Sequence, residues 1–251
     1  MGLEKQYDEW HNTVFESGPD HADEESPWYR LVLEHLPPVR GLRVLEIACG
    51  RGGFSRLLAS KGAVMLGCDF SSRALQIAKQ KHDSDARTHL DLVQADAGGL
   101  PFASESFDVV ISCETIEHVP DPSRALSEMA RVCHGTGRLF LTTPNYFNAM
   151  GLYYIYASLR GKKATPGSDQ PFDRPFLFPK VRSLLKKAGW RILDSDGTVH
   201  QFPIRPGHSP IAVPGLESNR MLRRFLSPLA LHYFIMAGKS PATAPLPVGV
   251  R

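Results

Sequence analysis

From Arg43 onward the chain alternates short, unbroken apolar runs with stretches whose apolar residues recur at helical spacing. Arg43 to Ala48, Ala63 to Cys68, Leu90 to Ala95, Phe107 to Ser112 and Arg138 to Thr142 have the length and content of buried strands. Between them, Phe54 to Ser60, Ser72 to Lys81 and Pro122 to Val132 carry helical spacing, the last with proline at its start. Strand and helix in repetition predict an α/β fold, a mainly parallel sheet with helices on both faces. Upstream, Trp28 to Leu36 predicts a helix stopped by Pro37 and Pro38. Downstream, the spacing predicts a helix over Pro179 to Ala188 closed by Gly189, a strand from Trp190 to Ser195 and a last buried strand from Leu231 to Ala237. The regular beat breaks between residues 146 and 178, read as a lid-like insertion, and again in the Pro-rich stretch 202–214. Residues 1–240 are expected to form one domain, with 1–40 as a helical cover and 241–251 as a disordered tail.

Composition narrows the class. With 251 residues, 42% of them apolar, the chain can bury one sizeable core. Its formal net charge of +3 is spread along the chain rather than gathered into a stripe, which argues against nucleic acid as a partner. Cys49, Cys68, Cys113 and Cys133 form no C-x-x-C pair and fall in or beside buried strands, so free thiols in a reducing cytoplasm are expected. The charged N-terminus lacks the apolar stretch of a secretory signal, and no apolar run approaches the ~20 residues of a spanning helix.

Val44-Leu45-Glu46-Ile47-Ala48-Cys49-Gly50-Arg51-Gly52-Gly53 sets a strand directly before a glycine-bearing turn and a helix. Glycine lets backbone come close to a ligand, and the carboxyl ends of such strands are where open α/β sheets bind ligands. Asp69 closes the second strand, where a carboxylate can accept from both hydroxyls of a ribose. Taken alone, Ala48-x-Gly50-x-x-Gly53 also passes as a degraded dinucleotide fingerprint. Glu46 argues otherwise, because a carboxylate inside that strand attracts an ammonium and repels a pyrophosphate. Asp96, closing the third strand in Val93-Gln94-Ala95-Asp96-Ala97, can accept from an adenine amino group.

In this order, the segments from Val44 to Asn145 resemble the class I methyltransferases that use S-adenosylmethionine, particularly the small-molecule branch that includes quinone-pathway O-methyltransferases. The resemblance implies a Rossmann-like, seven-stranded sheet with its last strand antiparallel, and S-adenosylmethionine as cofactor. It further implies that Glu46 faces the methionine amino group and that Ala48, Gly50 and Gly52 shape the turn. Asp69 would hold the ribose, Asp96 with Ala97 would read the adenine, and Phe70 and Cys113 would border the cofactor. Ala48 departs from the family's usual glycine.

The segment Ser112-Cys113-Glu114-Thr115-Ile116-Glu117-His118-Val119-Pro120-Asp121 follows the fourth strand and so sits beside the donor methyl; in similar methyltransferases it floors the acceptor site. His118 is the candidate base, because a hydroxyl acceptor must lose a proton and an unperturbed imidazole titrates near ~6.5. Glu117 reads as an anchor at the edge of the acceptor site rather than a base. Asn145 and Tyr146 border the acceptor pocket, and His200 is a second histidine within its reach. Glu117, His118, His200 and the nearby aspartates show no recognised ligand spacing, so no metal is assigned. The insertion, apolar at Met150, Leu152, Tyr153 and Tyr154 and then basic at Arg160, Lys162 and Lys163, reads as a lid over an acceptor with a hydrophobic body. Weak contact of residues 146–163 with a membrane surface is the alternative. The expected reaction is methyl transfer to a hydroxyl of a small, partly hydrophobic metabolite. Transfer to nitrogen or carbon, a non-catalytic cofactor-binding protein and an NAD-dependent oxidoreductase are the alternatives, the last disfavoured because no Tyr-x-x-x-Lys pair stands at a suitable position. The sequence carries no signal of oligomeric state.

Overall fold

The apolar runs assemble into a seven-stranded sheet in the computed structural model, which describes residues 2–17, 26–82, 89–148, 151, 170–202, 211–212 and 214–240. Its strands are β1 (Arg43–Ile47), β2 (Val64–Asp69), β3 (Leu90–Gln94), β4 (Phe107–Cys113), β5 (Cys133–Pro144), β6 (Trp190–Thr198) and β7 (His232–Lys239). Across the sheet they run in the order β3-β2-β1-β4-β5-β7-β6. Neighbours from β3 to β5 pair in parallel, whereas β7 is antiparallel to both β5 and β6. The last strand is therefore the antiparallel one, as expected. Gln201–Phe202 and Ile211–Ala212 pair separately as a short antiparallel ladder.

Helices cover both faces, which is why β1 is buried from Val44 to Ile47. On one face α2 (Pro27–His35) and α3 (Gly53–Ser60) pack Val32, Phe54 and Leu58 against Phe140 and Phe234. On the other, α5 (Pro122–Val132) and α6 (Phe178–Lys187) pack Leu126, Met129, Val181 and Leu185 against Leu139 and Ile235. Each such buried side chain contributes about 1.5–3 kcal/mol. Local signals set the boundaries: Asp121 caps α5 by accepting from the Arg124 N–H at 3.0 Å, with Pro122 in its first turn. Gly189, at φ +85°, follows the end of α6.

Helices α1 (Leu3–Ser17) and α4 (Ser72–His82) lie together beyond β2 and β3. The chain also forms α7 (Pro214–Ser218) and α8 (Arg220–Phe225) before β7. The sequence reading has no counterpart for α7 or α8 and gives α1 only as part of the helical cover over residues 1–40. It also starts the fifth strand too late, because the polar residues 134–137 conceal a β5 that begins at Cys133, where the chain pairs with Phe107. All four cysteines are free and buried, as expected. Among the described residues no helix is long and apolar enough to cross a membrane. The expected apolar-then-basic lid at residues 150–163 and the tail 241–251 lie outside the described residues.

Candidate active site

The carboxyl ends of β1, β2, β3 and β4 open into one cavity of about 580 Å³, roofed by α1 and α2. Eight of the residues read from the sequence line it: Ala48, Gly50, Asp69 and Phe70 on one side, Asp96, Ala97, Cys113 and His118 on the other. They converge because every strand from β1 to β4 ends at the same edge of a parallel sheet.

The β1 turn is built from left-handed backbone, with φ of +55° at Ala48, +53° at Gly50 and +71° at Gly52. Only glycine adopts such angles without strain, so Ala48 carries a cost that the family's usual glycine avoids. A Cβ at Gly50 would meet nothing within 4 Å; that open space is a cradle for a ligand. At Gly52 it would press on Ala78 at 3.2 Å, so this glycine serves the packing of α3 on α4 and does not line the cavity.

Asp69 accepts from the N–H of Gly50 at 2.9 Å and of Ser71 at 2.9 Å, tying the turn to the start of α4. Burial pushes its carboxyl up to about 6 against these bonds. Asp96 starts the turn into Gly98, whose N–H it accepts at 2.7 Å, and still lines the cavity. Glu46 is fully buried, accepting from Ser55 at 2.5 Å and Tyr29 at 3.3 Å, and burial pushes its carboxyl up to about 7. Tyr29, rather than Glu46 itself, lines the cavity. Glu46 thus stands behind Tyr29, whose hydroxyl donates to it.

His118 lines the cavity with its Nδ1 donating to the Phe172 carbonyl at 2.7 Å. That bond leaves Nε2 as the proton-accepting nitrogen, and Nε2 lies 3.7 Å from Glu117 Oε1. Burial lowers the imidazole and raises the carboxyl well above its usual range, so each is pushed toward its uncharged form.

Four residues expected at the acceptor site are not on the cavity wall. Glu117 is buried beneath it and accepts from Thr143 at 2.9 Å. Asn145 is a clamp: its amide donates to the Pro228 and Ala230 carbonyls, and its oxygen accepts from the N–H of Phe147 and Phe178. Tyr146 hydrogen-bonds the Phe176 carbonyl through its backbone. His200 is buried against Glu217, with Nδ1 2.9 Å from Oε1, among the elements that precede β7.

The sequence reading placed residues 1–40 in a helical cover but assigned none of α1 to the site; α1 contributes Leu3, Glu4, Tyr7, Trp10 and His11 to the cavity. Its signal is the spacing of Leu3, Tyr7, Trp10 and Val14, apolar residues at helical intervals in a polar stretch. Tyr7 donates to the same Phe172 carbonyl as His118, so residues 170–177 join the roof to the β4 loop. Burial and the nearby Arg51 hold the His11 imidazole down at about 4.

A family profile described as "Methyltransferase domain" matches residues 45–141. A ubiquinone biosynthesis O-methyltransferase of Coxiella burnetii is 27% identical over 198 residues, covering 78% of this chain and 82% of the relative. A demethylmenaquinone methyltransferase of Renibacterium salmoninarum is 38% identical over 112 residues, 45% of each chain. Residues 45–141 carry a methyltransferase domain, and the chain is similar to class I S-adenosylmethionine-dependent methyltransferases. The solved structure of a methyltransferase of Thermotoga maritima, described as a possible histamine N-methyltransferase, shares the fold. Its TM-score is 0.64 over 95% of this chain and 98% of that one, at 20% identity.

The cavity of this methyltransferase fits its cofactor on observations independent of that kinship. Gly50 leaves an open cradle at the end of β1, and a buried carboxylate stands at the end of β2. Tyr7, Trp10, Trp28, Tyr29 and Phe70 line the cavity, and aromatic faces attract cations such as a sulfonium or an ammonium.

Proposed function

We propose that this methyltransferase moves a methyl group to a hydroxyl of a small, partly hydrophobic metabolite, of the kind that the quinone-pathway relatives suggest. The observation that carries this reading is the composition of this cavity: aromatic side chains from α1 and α2 meet Glu114, Thr115 and His118 after β4. An apolar body and a polar reacting group are both accommodated by such walls.

On this reading Asp69 accepts from the ribose hydroxyls while its bonds to Gly50 and Ser71 hold it in place. Asp96 and Ala97 border the adenine. Glu46 balances the methionine ammonium from behind Tyr29. When bound, the cofactor supplies an activated methyl on a sulfonium, and the protein's part is to align the acceptor and exclude water, for which effective molarities reach about 10⁵–10⁸ M. A hydroxyl also needs a proton acceptor on the β4 side, where His118 and Glu114 stand.

Calorimetric titration with S-adenosylmethionine, S-adenosylhomocysteine and NAD, followed by a screen of phenols, amines and carbon acids with methyl-labelled cofactor, tests the reading. Binding of the two sulfur nucleosides and labelling of a phenol support it. Labelling confined to amines or carbon acids overturns the hydroxyl assignment.

A further inference from the structure

Glu114 carries a polar atom that no hydrogen bond satisfies. The residue lines the cavity, and its Oε1 is buried without a hydrogen-bond partner among the described residues. Its Oε2 accepts from His232 Nδ1 at 2.8 Å. A buried acceptor left unmade costs about 1–3 kcal/mol, so a native fold keeps one where something else supplies the donor.

The fold goes to some length to hold this carboxylate. Glu114 has a φ of +48°, a left-handed conformation that costs a residue with a Cβ about 1–2 kcal/mol. Its N–H donates to the Thr142 carbonyl at 3.0 Å, which fixes the strained turn against β5. Such strain persists where surrounding structure imposes it, and it concentrates at functional sites. His232 opens β7 in register with Pro144 of β5 and Thr198 of β6. Its ring lies 4.9 Å from that of Trp28, itself a cavity residue. His232 on β7 therefore engages one carboxylate oxygen, while the other stays buried and unpartnered among the described residues, on a side chain that belongs to the cavity lining.

A carboxylate accepts hydrogen bonds and cannot donate them, so its match on the acceptor is a hydrogen-bond donor. We propose that Glu114 Oε1 binds the acceptor hydroxyl and receives its proton, with His232 as the positioning residue. The assignment rests on the hydroxyl reading above. As the acceptor oxygen's electron pair forms the new bond to the methyl carbon, the carbon–sulfur pair returns to sulfur and the O–H proton passes to Oε1. One carboxylate charge and one sulfonium charge cancel, leaving a carboxylic acid, a methyl ether and a thioether. His118 is less well placed for this step, because Nδ1 is committed to Phe172 and Nε2 is turned to Glu117.

The test uses the full chain with Glu114→Gln, His232→Ala, His232→Asn and His118→Gln. Glutamine keeps the shape and can still accept from His232, but it sets an amide donor where Oε1 stood. Titration with S-adenosylhomocysteine reports folding and the donor side, and all four variants are expected within about twofold of the wild type. Catechol, as a hydroxyl probe on the S-adenosylhomocysteine-loaded protein, is expected to bind Glu114→Gln at least about tenfold more weakly than wild type. Turnover of a phenolic acceptor should fall by about 10²–10⁴ in the same variant. His232→Ala should lower kcat, and His232→Asn should restore most of it, because the asparagine amide can replace Nδ1–H. Equal catechol binding by Glu114→Gln and wild type, whether tight or absent, overturns the proposal, as does a loss of turnover confined to His118→Gln. Catechol binding that depends on Glu114, in a protein that methylates amines alone, instead overturns the hydroxyl reading and keeps Glu114 as the acceptor-binding group.

Discussion

The Gly50 N–H donates to Asp69 Oδ2 at 2.9 Å, so the glycine turn after β1 and the acid after β2 form one unit. Each needs the other: the turn's left-handed backbone exposes an N–H, and the buried carboxylate needs donors to stay ionised.

Removing the acid should therefore disturb more than one contact. Asp69→Ala leaves the N–H groups of Gly50 and Ser71 without their partner, and a hydrogen bond to a charged group is worth about 1.5–3 kcal/mol. Affinity for S-adenosylhomocysteine is expected to fall at least about tenfold by calorimetry. An unchanged affinity would show that Asp69 does no more than cap the turn.

Ala48→Gly makes the opposite expectation. Ala48 sits at φ +55°, where a Cβ costs about 1–2 kcal/mol and glycine costs about 0.5–1 kcal/mol of unfolded-chain entropy. The net expectation is a protein more stable by roughly 0.5–1 kcal/mol in urea unfolding with an unchanged m-value. A destabilised variant would mean that the alanine methyl is packed rather than tolerated.

The residues expected around the cofactor were brought to one cavity because their signals are local. Gly50 follows a strand directly, and Asp69 and Asp96 each close the next strand along, so sequence order translates into one edge of the sheet. The contacts of Glu114 were not legible, because they join distant segments. Glu114 and His232 are 118 residues apart and nothing near either one signals the other. The partners of Asn145 and His200 were equally invisible: what engages them, Pro228, Ala230 and Glu217, belongs to segments the sequence reading did not place. Helix α1 gave no site residue to the sequence reading because, among its described side chains, only Tyr7 and His11 are buried.

Donor binding should depend on pH through Glu46. Its folded value near 7 lies above the ordinary 4.5, so burial favours the neutral acid. The stability this neutral carboxyl contributes is fully present below about 4.5 and is lost as pH rises through about 7. Asp69 acts in the same direction over about 4 to 6. The unliganded protein should therefore lose stability between pH 5 and 7, while a ligand ammonium favours the ionised Glu46. Affinity for S-adenosylhomocysteine should rise over the same interval, by up to about tenfold per pH unit, with proton release visible as buffer-dependent heat. Glu46→Gln should abolish most of this dependence; a profile shared by wild type and Glu46→Gln would assign it elsewhere.

Asp8 should govern how long the cofactor stays. Its carboxylate accepts from the hydroxyls of Ser71 at 2.5 Å and Ser72 at 3.2 Å and from the Arg73 N–H at 3.1 Å, latching α1 to the start of α4 directly beyond Phe70. These bonds hold the Asp8 carboxyl below its usual range, so the latch keeps its charge at neutral pH. Helix α1 carries Tyr7, Trp10 and His11 over the cavity, so loosening it is expected to ease the exit of a bound ligand. Asp8→Ala removes the latch without touching the cavity lining. Stopped-flow measurement should show S-adenosylhomocysteine dissociating about tenfold faster, because loss of about 1.4 kcal/mol from the closed state corresponds to that factor. Global unfolding by urea should change less, since α1 lies outside the two cores that flank the sheet. An unaltered dissociation rate would mean that Tyr7 and its bond to Phe172, rather than Asp8, keep the cover down.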